Sequence, residues 1–116
     1  MRVVHGVDGE DRTIASGVEV AEGIVSKARG LTFRWSIPDD YALVFPFRRV
    51  ATRRLHMVFV RFDVDALWLV DGEVRQVSRL SAWTGHGSAR ADTVVELPAG
   101  AAEGVEAGDR VRVDGL

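Results

Sequence analysis

Cysteine is absent from the 116 residues, which excludes a disulfide framework, a zinc knuckle and thiolate catalysis, and suits a reducing compartment. Lysine is nearly absent too: of 15 basic residues only Lys27 is not arginine, a bias that a GC-rich genome produces without selection for guanidinium chemistry. Unbroken apolar runs such as Ala66 to Val70 fall far short of a membrane span, which needs about 20 residues. The amino-terminal MRVVHGVDGEDRT meets charged residues too early for the apolar segment of a signal peptide, so a cytoplasmic address is expected. The formal net charge of −2 gives no global pull toward nucleic acid or anionic membranes. His5, His56 and His86 have no partner at zinc-motif spacing, and no metal or other cofactor is expected.

What is present describes a small β protein. Hydrophobic residues make up 47% of the chain and charged residues 28%, which is ordinary for a globular protein, and the length suits one domain over residues 1–116. The organising stretch is Arg54 to Val77, with two strongly apolar runs, an Asp71-Gly72 hairpin signal and a returning strand at Glu73 to Ser78. In Leu55 to Val60 both alternating faces are mostly apolar, and in Ala66 to Val70 both are apolar, predicting strands covered on both sides. Asp8-Gly9 predicts an opening hairpin between Arg2–His5 and a second strand over Thr13–Ala21. Tyr41 to Phe47 is β-prone, with Pro46 demanding an edge or a bend. Further strands are expected at Thr93–Leu97 and Arg110–Val113, with Leu80–Ala91 as a long polar connection. Residues 22–30 predict one short α-helix, because Ile24, Val25, Ala28 and Leu31 fall at helical spacing and Gly30 supplies a cap. Turn signals recurring about every ten residues favour an all-β sandwich or barrel.

Five segments, in order, resemble the family of bacterial and archaeal proteins known as domain of unknown function 192. They are Gly30-Leu-Thr-Phe-Arg34, Tyr41 to Phe47, Leu55-His-Met57 with Val64-Asp-Ala-Leu67, Val95-Glu-Leu-Pro-Ala-Gly100, and Gly104-Val-Glu-Ala-Gly-Asp109. The resemblance spans roughly Val18 to Val113 and implies a jelly-roll-like β-sandwich with a short helix. It implies no activity, since the family has no established one. This chain departs from the family pattern at His56, where Trp is usual, at Val58 and Phe59, where Lys and Asn stand, and at Asp63, where Pro is usual.

Nothing in the sequence pairs an activated nucleophile with a base. Gly85 to Arg90 lacks the third glycine of a dinucleotide fingerprint and the ending of a P-loop, and reads as a loop. The leading expectation is therefore a non-enzymatic domain that binds a small ligand or a protein partner near Arg34, His56, Asp65 and Trp83, with the oligomeric state open. The first alternative is anion or nucleic-acid binding through Arg48, Arg49, Arg53, Arg54 and Arg61, five guanidiniums within 14 residues. A second alternative is a hydrolase built on Asp63, Asp65 and Glu96, weighed against structural roles for the two aspartates in a turn and an arginine pair.

Overall fold

The computed structural model describes residues 1–23, 27 and 30–116. Eight strands run in chain order as β1 (Arg2–Val7), β2 (Glu10–Ala15), β3 (Gly17–Val20), β4 (Tyr41–His56), β5 (Val64–Val70), β6 (Glu73–Leu80), β7 (His86–Pro98) and β8 (Arg110–Asp114). They join in one sheet of order β2-β1-β8-β6-β5-β7-β4-β3. Every pairing is antiparallel except β3 with β4. The expected all-β character holds. The helix expected over 22–30 falls largely on residues outside those described. Among the described residues, no helix is long and apolar enough to cross a membrane.

Both predicted Asp-Gly turns form where the sequence places them. Asp8 and Gly9 have φ of 52° and 79°, and Asp71 and Gly72 have 49° and 78°. Two successive left-handed residues give the twist that a two-residue hairpin requires. Each face of the sheet carries its own core. On β5, Val64, Ala66 and Trp68 enter one cluster with Met57, Val60, Phe45 and Leu31. The alternating Leu67 and Leu69 enter the other, with Val3, Val95, Leu97 and Val105. β5 is thus the doubly covered strand its composition predicts, since six of its seven residues are buried.

The companion run at Leu55–Val60 behaves differently from expectation. β4 ends at His56, residues 57–60 turn, and Phe59 takes φ +61°. Met57 and Val60 are buried while Val58 and Phe59 lie about half exposed, so one face of this run is solvent-facing. The expected second strand also breaks in two. The amides of Ser16 and Gly17 both donate to the Asp40 carbonyl, at 3.0 and 2.9 Å, turning the chain from β2 into β3. The strand that begins at Tyr41 also runs on past Phe47, through Arg48–Arg53, as the 16-residue β4. The Leu80–Ala91 connection is shorter than expected, because β7 already begins at His86.

β4 bends where Pro46 demands it. Pro46 pairs with Thr93 and Ala51 with Ala91, so the intervening residues of β4 bulge out of the ladder. Arg53 closes this bulge from inside. Its Nε donates to the Ala91 carbonyl at 3.2 Å and its Nη2 to the Arg49 carbonyl at 2.7 Å. Its guanidinium lies 3.7 Å from the Phe47 ring centroid, and its own carbonyl accepts from Trp68 Nε1 at 2.9 Å.

Candidate ligand-binding site

The central strand β7 carries a charge in the middle of its apolar stretch. Glu96 pairs with Leu43 of β4 on one side and Ala66 of β5 on the other. Directly opposed residues share a face, so the Glu96 carboxylate points into the layer that contains Leu43, Ala66 and Phe45. Only 5% of the residue is exposed. Burial pushes its pKa up from 4.5 to about 7, and the positive charge of Arg34 works weakly the other way. Among the described residues no hydrogen bond contributes to this balance. Among those residues none reaches the Glu96 carboxylate, and Glu96 lines a small cavity.

That space is a small pocket of about 60 Å³, floored by Glu96 and Phe45 and bordered by Gly30, Leu55, His56 and Lys27. Four of the five segments that carry the family resemblance contribute to its lining: Gly30–Arg34, Tyr41–Phe47, Leu55–Met57 and Val95–Gly100. Gly30 lies against the carboxylate. A Cβ there would lie 3.4 Å from Glu96 Oε1 and 3.5 Å from Phe45 Cζ, on a backbone with φ +51°. The Lys27 ammonium stands 4.5 Å from the Phe47 ring centroid at the pocket's side.

Beside the pocket, three loops meet and present aromatic rings to solvent. Phe33, Phe59 and Trp83 all adopt left-handed φ, between 61° and 67°, a conformation that costs bulky residues energy and is kept where the surroundings impose it. The imposing contacts are backbone hydrogen bonds. Phe33 N donates to Phe59 O, Trp83 N to Val60 O and Met57 N to Gly85 O, each at 3.0 Å. The Phe33 and Phe59 centroids lie 5.0 Å apart, and Phe59 meets Trp83 edge-on at 5.8 Å. Trp35, 81% exposed, is covered on one side by the Arg61 guanidinium at 4.0 Å.

The residues anticipated from sequence distribute unequally. His56 is exposed at the pocket's mouth. Arg34 lies on the same side and bonds Glu19 Oε1 at 3.1 Å, an oxygen that also accepts from Tyr41 Oη at 2.7 Å. These two bonds, Tyr41 first, hold the Glu19 pKa below its usual value, and burial pushes the Tyr41 hydroxyl up. Trp83 belongs to the aromatic loops rather than to the pocket lining.

Asp65 stands apart. It is opposite Leu97 on β5–β7 and so faces the other core. There its Oδ2 accepts from the amides of Gly100 and Ala102 at 2.9 and 3.1 Å, and its Oδ1 from Arg79 Nε at 2.8 Å. Asp65 is the clasp of the 98–104 turn, and its arginine is Arg79 rather than Arg34. Asp63 is exposed and accepts from the Ala82 amide at 2.8 Å. Asp63, Asp65 and Glu96 therefore share no cleft, and the hydrolase arrangement lacks its geometry.

Of the basic cluster, Arg48, Arg49 and Arg54 are exposed, whereas Arg53 is folded into the bulge and Arg61 donates to Phe33 O at 3.2 Å while covering Trp35. Among the described residues no three of His, Asp and Glu are placed to hold a metal ion. The sequence assigned no site role to Lys27 or Gly30, and grouped Glu96 with two aspartates that lie elsewhere. The available signal was the lone acid between Val94-Val95 and Leu97 on an otherwise buried strand.

Comparison with solved structures agrees with this architecture. A protein from Sinorhizobium meliloti 1021, described as a "putative transcription regulator", superposes with TM-score 0.81 at 25% identity, over 99% of this chain and 94% of its own. A protein of unknown function from Novosphingobium aromaticivorans DSM 12444 shares the fold, with TM-score 0.79 at 20% identity over 97% of this chain and 84% of its own. The search of curated proteins gives no match. The sequence pattern of the uncharacterized ACR proteins, domain of unknown function 192, matches residues 4–113, and the chain belongs to that family.

Proposed function

We propose that the protein is a non-enzymatic binding domain whose small ligand seats over Glu96, with His56 and Lys27 at the pocket's entrance. The observation that carries this reading is the buried carboxylate without a hydrogen-bond partner among the described residues, opening into a cavity instead of into packed core. Leaving a buried acceptor unsatisfied costs roughly 1–3 kcal/mol, more when it is charged. A ligand that donates to it recovers that cost. The matching chemistry is a compact amine, amidine or other hydrogen-bond donor, small enough for about 60 Å³. Catalysis is not part of the reading, because among the described residues no second carboxylate accompanies Glu96 in the pocket.

A thermal-shift panel of amines, metabolites and short glycans at pH 6 and pH 8 tests it, on the native protein and on Glu96→Gln. Stabilisation of the native protein that the variant loses supports the reading. A panel in which nothing raises the midpoint, or in which the variant responds equally, refutes it.

A further inference from the structure

The arginines of this chain are mostly occupied. Carboxylates hold Arg2, Arg34, Arg75, Arg79 and Arg112, and backbone carbonyls hold Arg12, Arg53, Arg61 and Arg110. Among the described residues the exceptions are Arg48, Arg49, Arg54 and Arg90, which are all exposed. All four lie on the β4–β7 ribbon or its bulge.

The register of that ribbon shows what its outer face displays. Thr52 pairs with Arg90, Arg54 with Ser88, and His56 with His86. All six are exposed, while the alternating Ala51, Arg53, Leu55 and Gly87, Ala89, Ala91 are half-buried or buried. Directly paired side chains stand about 5 Å apart on one face. Three successive rungs therefore carry two guanidiniums, two imidazoles and two hydroxyls, with Arg48 and Arg49 at the bulge beyond. No acid occurs between Asp40 and Asp63 or between Glu73 and Asp92, so neither strand places a carboxylate in this stretch. The next acid along β7 is Asp92, two residues past Arg90 on the same alternation, and its Oδ2 accepts from the Asp71 amide at 2.9 Å.

The ribbon leads directly to the aromatic loops. Residue 57 follows the His56–His86 rung on one strand and Gly85 precedes it on the other, joined by the Met57 N–Gly85 O bond at 3.0 Å. Beyond lie the exposed rings of Phe59, Trp83 and Phe33, fixed by left-handed backbone rather than free to fold inward. A backbone track of guanidiniums ending on fixed aromatic rings is the pairing that a flexible polyanion with unpaired planar bases requires.

We propose that this face binds single-stranded nucleic acid, its phosphates tracking Arg48, Arg49, Arg54 and Arg90 and its bases stacking on Phe59 and Trp83. An acidic protein segment would use the arginines but leave the aromatic rings without planar partners. A duplex would offer phosphates without free base faces. His56 borders both regions, but neither the four arginines nor Phe59 and Trp83 line the Glu96 pocket, so either reading can fail alone.

Fluorescence anisotropy with labelled 15-nucleotide oligothymidylate, and with oligouridylate of the same length, tests the proposal on the whole chain. Single-strand affinity falls by about 0.7 log units per log unit of salt for each phosphate neutralised, so the slope expected for four contacts is about −3. The Arg54→Ala, Arg90→Ala double variant flattens this slope by about 1.4. Trp83→Ala weakens binding roughly tenfold and leaves the slope unchanged. Arg75→Ala, at an arginine paired with Glu73 on β6, changes neither. Thermal midpoints within a few degrees of the native value show that each variant is folded.

Absence of binding to either oligonucleotide at 50 mM salt overturns the proposal. So does equal affinity for the single strand, a 15-base-pair duplex and heparin, or loss of binding in Arg75→Ala equal to that in the double variant. Co-sedimentation with phosphatidylserine vesicles in place of oligonucleotide binding would assign the face to a membrane surface instead.

Discussion

Gly30 lies against Glu96 so closely that a single added methyl group would sit 3.4 Å from the carboxylate oxygen. The glycine backbone, left-handed at φ +51°, is therefore one wall of the space into which the acid opens. Replacing Gly30 by Ala combines a strained φ with a narrower pocket. The expected outcome is destabilisation of about 1–2 kcal/mol, read by urea unfolding, together with loss of any ligand response that Glu96→Gln also loses.

The acid itself sets a pH dependence. Its folded pKa of about 7 lies above the ordinary 4.5, so the folded protein holds a proton that the unfolded chain has released between those values. Stability is then fully present below about pH 4.5, declines as pH rises to about 7 and levels beyond it. The decline amounts to about 3 kcal/mol. Glu96→Gln abolishes it. Acids whose pKa is lowered in the fold, such as Glu19, Asp109 and Asp114, lose their contribution at lower pH and act alike in both proteins. The difference in thermal midpoint between variant and native protein should grow by on the order of 10 °C from pH 4.5 to pH 8. A constant difference would show that Glu96 is ionised with no penalty.

Asp65 supports the fold by accepting four hydrogen bonds from two amides and one guanidinium. Asp65→Ala leaves the Gly100 amide and the buried Ala102 amide without their acceptor. The expected cost is about 3 kcal/mol, measured by chemical denaturation. Hydrogen exchange should quicken at the Gly100 and Ala102 amides before the amides of β5.

The left-handed aromatics offer a test of stored strain. Phe59→Gly and Phe59→Ala lose the same ring contacts with Phe33 and Trp83, but only glycine relieves φ +61°. The glycine variant is expected to be more stable than the alanine variant by about 1 kcal/mol. Equal stability, or the reverse order, would mean that the 57–60 turn relaxes once the ring is gone.

The parts of this fold that periodicity describes were legible in the sequence. Asp71-Gly72 and Asp8-Gly9 specify two-residue turns by local stereochemistry alone, and Ala66 to Val70 is apolar on both faces because both faces are covered. Leu55 to Val60 has the same composition yet leaves the ladder after His56. Backbone hydrogen bonds from loops 31–33 and 81–85 draw that run into a turn, and those loops are distant in sequence. The site was less legible for the same reason. His56 and Arg34 lie on the side of the sheet where the pocket opens, but Asp65 differs from Glu96 by one position of register and so serves the opposite core. The ribbon of exposed arginines depends on which residue of β4 faces which of β7, and the bulge after Pro46 resets that pairing.

That bulge divides the labour of one strand. Before it, β4 is a girder: Ala42, Leu43, Val44 and Phe45 are enclosed from both sides. After it, with Arg53 as the rivet, the same strand becomes a rail whose outer side is open. Lengthening or shortening the loop at Arg48–Val50 would thus re-aim the rail while the girder stayed put, a way for related chains to vary what they grip at little expense to what holds them up.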